Sequence, residues 1–296
     1  MAEPSEQTVP SGPSAPSEVT ETLTASLAAF TSADDGAAHL VALDFDGTLA
    51  PLVDDPKAAT MTAAARDAVD RLAGLADATR TRLAFVSGRA LEDLAARTAA
   101  PVGSYLIGSH GAEFGRMSDV GVDAVPLELT EDQARRLEEL VAALEAAVDG
   151  REGAWVQTKP SAAVLHTRLA PPSDARTAIA AADAAATRLG LSAMHGKDVV
   201  EIAVVPTSKG TAVSRLRGVV GQETGAHDVR VLYAGDDTTD EHAFEVLGEG
   251  DLAVKVGAGA TCAPHRVADA DELARVLELV ADGVTGGGPG RRGSLP

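Results

Sequence analysis

Two short acidic clusters hold the residues best suited to chemistry. The first is Asp44-Phe45-Asp46-Gly47-Thr48, which closes the apolar run His39–Phe45. Carboxylates at i and i+2 beyond a strand can both address one pocket, and Gly47 lets the backbone turn sharply away. One acid could attack while the other moves protons, their environments setting the two pKa values apart. A solvated Asp-Gly turn is the plain alternative. A calcium loop is not, because Thr48 and Leu49 break the acidic ligand pattern and Asp55 stands where the closing Glu would be. The second cluster, Gly235-Asp236-Asp237-Thr238-Thr239-Asp240-Glu241, again follows an apolar run. Adjacent Asp236 and Asp237 at a strand end are costly unless a cation neutralises them, and oxygen-only ligands with room for water suit Mg²⁺. Thr238 and Glu241 fit a capping box, so Asp240 and Glu241 are expected to serve a helix start. Between the clusters, Ser87-Gly88-Arg89 follows another apolar run and Ser208-Lys209-Gly210 opens a helical stretch. A hydroxyl and free backbone N–H groups at such turns can hold phosphate oxygens, with Lys209 adding a fixed positive charge.

These residues need a scaffold, and the hydrophobic pattern supplies one. Short apolar runs at His39–Phe45, Leu83–Val86, Tyr105–Ile107, Val229–Ala234 and Leu252–Val256 suit parallel strands buried on both faces. Helical patterns at Ala63–Ala76, Lys209–Arg217, Asp240–Leu247 and Asp271–Val280 alternate with them. The expected core is a doubly wound, mainly parallel α/β sheet, with ligands at the carboxyl ends of its strands. The middle reads α-β-β-α-β-β, with helices at Glu131–Val148 and Asp174–Leu189, and implies a small inserted α+β domain. Its strands alternate. Lys159, Gln157, His166, Arg168 and Glu201 fall on one face, opposite Leu165, Leu169, Val200, Ile202 and Val204. The polar face is either solvated or a binding surface. The predicted organisation is a disordered tail over 1–16, a short amphipathic helix and linker over 17–35 docked through Val19, Leu23, Leu27 and Phe30, core segments 36–119 and 205–282, an inserted domain over 120–204, and a flexible tail over 283–296.

Composition excludes several roles. Of 296 residues, 25 are Lys or Arg and 44 are Asp or Glu, a net charge of −19 that opposes binding to nucleic acid or anionic membranes. Aromatics at 3% leave few platforms for stacking on bases. A hydrophobic content of 45% suffices for a real core. The lone Cys262 precludes an intramolecular disulfide. Neither an export signal nor a long apolar segment is evident, so the expected location is the cytoplasm.

In this order along the chain, DFDGT, VSGR, SKG and GDDTTDE resemble the haloacid dehalogenase superfamily. GSHGAE (Gly108–Glu113), KPSAAVLHTR (Lys159–Arg168) and GKDVVEI (Gly196–Ile202) are similar, more narrowly, to trehalose-6-phosphate phosphatases. The resemblance implies a haloacid-dehalogenase-like core with an inserted cap, and Mg²⁺-dependent hydrolysis of trehalose 6-phosphate through an aspartyl-phosphate. It implies Asp44 as nucleophile and Asp46 as acid and base, with Thr48, Ser87 and Lys209 assisting. Asp44, Asp46 (through its carbonyl), Asp236 and Asp237 would surround the metal. Gly88, Arg89, His110 and Glu113 on the core, and Lys159, His166, Arg168, Lys197 and Glu201 on the cap, would hold the sugar phosphate. Ser208 stands where many relatives have Asp or Asn, and EIAVVPTSKG lacks their usual basic stretch. Rival readings are a phosphatase of the same architecture acting on sucrose phosphate or mannosyl-phosphoglycerate, and a non-catalytic sugar-phosphate-binding regulator. No protein partner is implied.

Overall fold

A computed structural model describes residues 21–32, 36–205 and 207–286. Its strands are β1 (Ala38–Leu43), β2 (Thr81–Val86), β3 (Tyr105–Gly108), β4 (Glu113–Ser118), β5 (Gly121–Val125), β6 (Trp155–Lys159), β7 (Ala162–His166), β8 (Ala193–Gly196), β9 (Val199–Ala203), β10 (Val229–Gly235), β11 (Leu252–Val256) and β12 (His265–Val267). Its helices are α1 (Glu21–Phe30), α2 (Ala63–Gly74), α3 (Ala76–Thr79), α4 (Leu91–Thr98), α5 (Glu131–Val148), α6 (Pro172–Leu189), α7 (Lys209–Thr224), α8 (Glu241–Phe244) and α9 (Ala270–Val284).

Eight strands form the core sheet in the order β12-β11-β10-β1-β2-β3-β4-β5. From β12 to β3 the pairings are parallel; β4 and β5 extend the edge antiparallel. Every residue of β1 is buried, as a central strand covered on both faces must be. Val41 and Leu43 pack into one layer with Leu23, Val69, Leu94 and Leu277; Leu40 and Ala42 pack into the other with Val213, Leu216 and Phe244. Burying each such side chain contributes about 1.5–3 kcal/mol, which is why strand and helix stripes find each other.

The boundary read at 119/120 falls inside this sheet. β5 pairs with β4 through Phe114↔Val125 to Ser118↔Gly121, so the core sheet runs to Val125. Most of β5 is exposed, and the single contact of Val122 with the core makes no apolar period to read. The tail read from 283 likewise begins too early, because α9 continues to Val284. Gly283 does not break the helix; a β-carbon there would overlap Thr31, so the glycine admits the end of α1. α7 also runs past Arg217 to Thr224, burying Val220 beyond Gly218.

α1 buries Leu23, Leu27 and Phe30 against the core. Its last carbonyls accept from Arg230 Nη1, at 2.8 Å for Ala29 and 3.1 Å for Phe30, and Phe30 O also accepts from His39 Nε2 at 2.9 Å. A cation at a helix C-terminus satisfies carbonyls that have no partner within the helix. Val19, the 1–16 tail and residues 287–296 lie outside the described residues.

The inserted unit is a four-stranded antiparallel sheet, β6-β7-β9-β8, with α5 and α6 on one face. Leu140, Leu144, Ala178, Ala182 and Ala186 of these helices meet Ala163, Leu165, Val200 and Ile202. Register puts Trp155 beside His166, Gln157 beside Val164, Val164 beside Glu201, and Lys159 beside Ala162, all on the opposite face. Among the described residues, no helix is long and apolar enough to cross a membrane.

Candidate active site

The site begins where β1 stops. Asp44, nearly fully buried, extends the ladder by one bond, its N–H donating to Ala234 O at 3.0 Å. The chain then closes a tight loop, with the N–H groups of Leu49 and Ala50 both donating to Phe45 O. Gly47 has φ +78°, and a β-carbon there would overlap the Asp236 carboxylate, even its farther oxygen lying 2.7 Å away. Glycine therefore lets the two acidic turns touch. Thr48 Oγ1 stands 3.4 Å from both Asp44 Oδ2 and Asp236 Oδ1, a bridge between them.

Lys209 enters from the first turn of α7, where Ser208 and Thr211 form a capping box. Its ammonium lies 2.9 Å from Asp44 Oδ1 and 2.8 Å from Asp240 Oδ1. Asp240 is fully buried and also accepts from Tyr233 OH at 2.7 Å and from the Asp237 N–H at 3.0 Å. This overturns the capping box read at Thr238–Glu241. Asp237 organises that turn instead, its Oδ1 accepting from Thr239 N and Thr239 Oγ1 at 2.7 Å each. Glu241 accepts from Cys262 N at 2.8 Å.

Asp44, Asp236 and Asp240 bring carboxylate oxygens within 4.8 Å of one another. Burial and the neighbouring carboxylates hold the Asp44 acid well above the usual range, against the pull of Lys209. Burial, then Asp240 and Asp237, push Asp236 up to about 6. Burial works to lower Lys209, but Asp44 and Asp240 more than offset it and keep the ammonium charged. Lys209 contacts Asp44 and Asp240 but not Asp236, and the close approach of three carboxyl groups, an all-oxygen donor set, fits a hard divalent cation. Asp44 and Asp236 face that cluster. Asp237 lines the cleft but is bonded to its own turn, and the Asp46 side chain points elsewhere.

Asp46 is held by Arg89. Nε and Nη2 each donate to one carboxylate oxygen at 2.6 Å, while Nη1 donates to Asp93 at 2.6 Å and Nη2 also reaches Pro56 O at 2.8 Å. Every guanidinium nitrogen is thus engaged within the protein. Ser87 is buried at the end of β2, its Oγ accepting from Arg89 N at 3.2 Å. Gly88 has no side chain to spare: a β-carbon would come within 2.5 Å of the His110 ring.

His110 sits in an unusual turn, with Ser109 at φ +48°, His110 at φ +54° and Gly111 at φ +108°. Successive non-glycine residues in this region are strained and persist only where their surroundings impose them. Its Nδ1 is buried without a hydrogen-bond partner among the described residues, and burial, followed by Lys209, lowers its pKa. His110 lines two clefts. One, of about 680 Å³, contains Asp44, Asp46, Ser87, Lys209 and Asp236; the other, of about 440 Å³, contains Glu113, Lys159, Met194 and Glu201. In the second, Lys159 Nζ donates to Glu201 Oε2 at 2.9 Å, and Glu113 accepts from Ser109 Oγ at 2.6 Å and Leu91 N at 3.1 Å.

The remaining cap residues lie outside these linings. His166 bonds Gln157 Oε1 at 3.1 Å and stacks on Trp155 at 3.9 Å, while Arg168 and Lys197 are exposed in turns. Sequence reasoning passed over Tyr233 and Lys255 and gave Asp240 to a helix cap. The signal was a polar residue inside or just after a buried run, as in VLYAG and LAVKV.

The chain matches the sequence profile of the Trehalose-phosphatase family over residues 42–271. It is 32% identical over 225 residues to the trehalose-phosphate phosphatase of Mycobacterium ulcerans (strain Agy99), covering 73% of this chain but only 53% of that protein, so it spans about half the length of such relatives. It is 31% identical over 238 residues to the trehalose-6-phosphate phosphatase of Escherichia coli (strain K12), covering 80% and 84%. The C-terminal domain of the C. albicans trehalose-6-phosphate phosphatase superposes with a TM-score of 0.64 over 90% of this chain and 99% of that one, at 20% identity, which bears on the fold alone. With its profile match running from β1 into α9 and both acidic turns inside it, the chain belongs to the trehalose-phosphatase family.

Proposed function

We propose that this protein is a Mg²⁺-dependent phosphatase, acting in a reducing compartment such as the cytoplasm, that converts trehalose 6-phosphate to trehalose and phosphate. The observation that carries the reading is that two clefts share His110 in their walls: one holds a buried acid with a lysine, the other lies between core and cap and holds Lys159, Glu201 and Glu113. A phosphate at Asp44 would leave its sugar in the cleft of Lys159 and Glu201.

An Asp44 oxygen attacks phosphorus as the bond from phosphorus to the sugar oxygen breaks. Asp46 donates a proton to that oxygen and becomes a carboxylate. A water then attacks the aspartyl-phosphate, giving its proton to Asp46, and phosphate leaves as Asp44 is restored. Acting as an acid requires Asp46 to release one arm of the Arg89 fork for the sugar oxygen, so Arg89 serves Asp46 and Asp93 rather than the substrate. Ser87 Oγ, which accepts from Arg89 N, keeps its own proton for a phosphoryl oxygen, and Lys209 has a third N–H beyond those given to Asp44 and Asp240. Asp44, Asp236 and the Asp46 carbonyl would hold Mg²⁺, which when bound offsets repulsion between Asp44 and the phosphate dianion. Thr48 keeps Asp44 and Asp236 together.

The test is phosphate release from a panel of sugar phosphates (trehalose 6-phosphate, sucrose phosphate, mannosyl-phosphoglycerate) with Mg²⁺ and with chelator. Turnover of trehalose 6-phosphate that needs the metal and exceeds the others supports the reading. Preference for another sugar would move the substrate assignment, and binding without turnover would make the chain a regulator.

A further inference from the structure

We infer that Lys255 is a positioning residue for the cation site. This inference rests on the metal-dependent reading above. Lys255 lies in the middle of the fully buried strand β11, beside Gly235 of β10, and is 3% exposed. A buried ammonium is costly unless its protons are all used. Its Nζ donates to the main-chain carbonyl of Asp236 and reaches that of Asp237 at 3.4 Å; Glu241 Oε1, 4.0 Å away, supplies the counter-charge. Buried behind the second acidic turn, Lys255 lines neither of the two clefts that His110 shares, so its contact is with the backbone of that turn.

The geometry shows what it holds. The Asp236 carbonyl and the Asp237 N–H belong to one planar trans peptide and point in opposite directions. Lys255 takes the carbonyl end, and Asp240 Oδ2 takes the N–H end at 3.0 Å. This peptide is pinned from both sides, which fixes the direction in which the Asp236 carboxylate leaves the backbone, toward Thr48 and the Gly47 turn. Lys209 holds the Asp44 and Asp240 side chains, and Lys255 holds the carbonyls of Asp236 and Asp237. Without Lys255 the peptide could rotate, and Asp236 would no longer be aimed at Asp44.

The test is Mn²⁺ titration of substrate-free protein, followed by the EPR signal of free Mn²⁺, in wild type, Lys255→Met, Lys255→Arg and Asp236→Ala, with thermal melts as a check on folding. Loss of support behind a metal ligand typically weakens metal affinity about 10–100-fold, and that is the loss expected in Lys255→Met. Coulomb's law alone predicts the reverse, because deleting a positive charge near a cation site should tighten binding. Weaker binding therefore isolates the geometric role. Lys255→Arg, which retains charge and donors, should recover part of the affinity, and Lys255→Gln is read in the same way as Lys255→Met if that variant does not fold. A folded Lys255→Met that binds Mn²⁺ as tightly as wild type, or more tightly, overturns the inference while leaving the metal reading intact. A wild type that binds no Mn²⁺ overturns both.

Discussion

Replacing Gly47 by alanine probes the contact on which both acidic turns depend. At φ +78° a side chain costs about 1–2 kcal/mol in backbone strain. For a chain of this size that is a fall in Tm of about 2–8 °C. The added methyl would also overlap the Asp236 carboxylate, whose farther oxygen would lie at 2.7 Å and whose nearer one closer still, so the acid must move by more than about 1 Å to restore an ordinary contact. A displacement of that size at a reacting site costs about 10²-fold in rate. Gly103→Ala separates the two effects, because Gly103 has φ +90° but nothing within 4 Å of its missing β-carbon. Both variants should melt lower. Only Gly47→Ala should lose about 10²-fold in kcat/KM for phosphate release and need more Mg²⁺ for half-maximal rate. Wild-type kcat/KM and metal requirement in folded Gly47→Ala would refute the claim that contact between the turns sets the site.

Three further outcomes are expected. Lys159→Ala or Glu201→Ala, each breaking a half-buried pair at 2.9 Å, should cost trehalose 6-phosphate about 1.5–3 kcal/mol in kcat/KM while a small aryl phosphate loses far less; equal losses would remove the cap cleft from sugar recognition. Gly218→Ala, inside α7 with open space around it, should stabilise the protein by about 0.5–1 kcal/mol in denaturant unfolding. His39, whose pKa burial lowers despite its bond to Phe30 O, binds a proton more readily unfolded than folded. Its contribution is therefore complete above the ordinary value of 6.5 and is lost as pH falls below it, so wild type should lose more stability between about pH 7 and 5 than His39→Gln. Parallel pH curves for the two would show that burial of His39 is not linked to folding.

Much of the fold was legible because its cause is local. Runs such as LVAL and VLYA carry no charged residue, and only a strand covered on both faces can bury every residue of such a run. In the cap, alternation along β6, β7 and β9 named the face that α5 and α6 cover, and register bears this out for Ala163, Leu165, Val200 and Ile202. β5 escaped notice because, as an edge strand, it packs little beyond Val122 on the core. The end of α9 escaped it because Gly283 reads as a breaker until Thr31 is seen to fill its place.

By itself, the sequence determined which residue types stand at the strand ends. Asp44, Asp46, Ser87, Lys209 and Asp236 are named by motif and spacing, since each immediately follows a buried run or opens a helix. What those side chains do with their hydrogen bonds was decided by tertiary structure, because it depends on groups far away in the chain. Asp46 and Arg89 are 43 residues apart, and their fork forms only when β1 and β2 lie side by side. Asp240, which spacing assigned to a helix cap, is drawn inward by Lys209 and Tyr233. Lys255 looks like a flaw in an apolar strand until the carbonyls of Asp236 and Asp237 arrive at its ammonium. A buried charge is tolerated only with its partners in place, and only the assembled sheet brings them there.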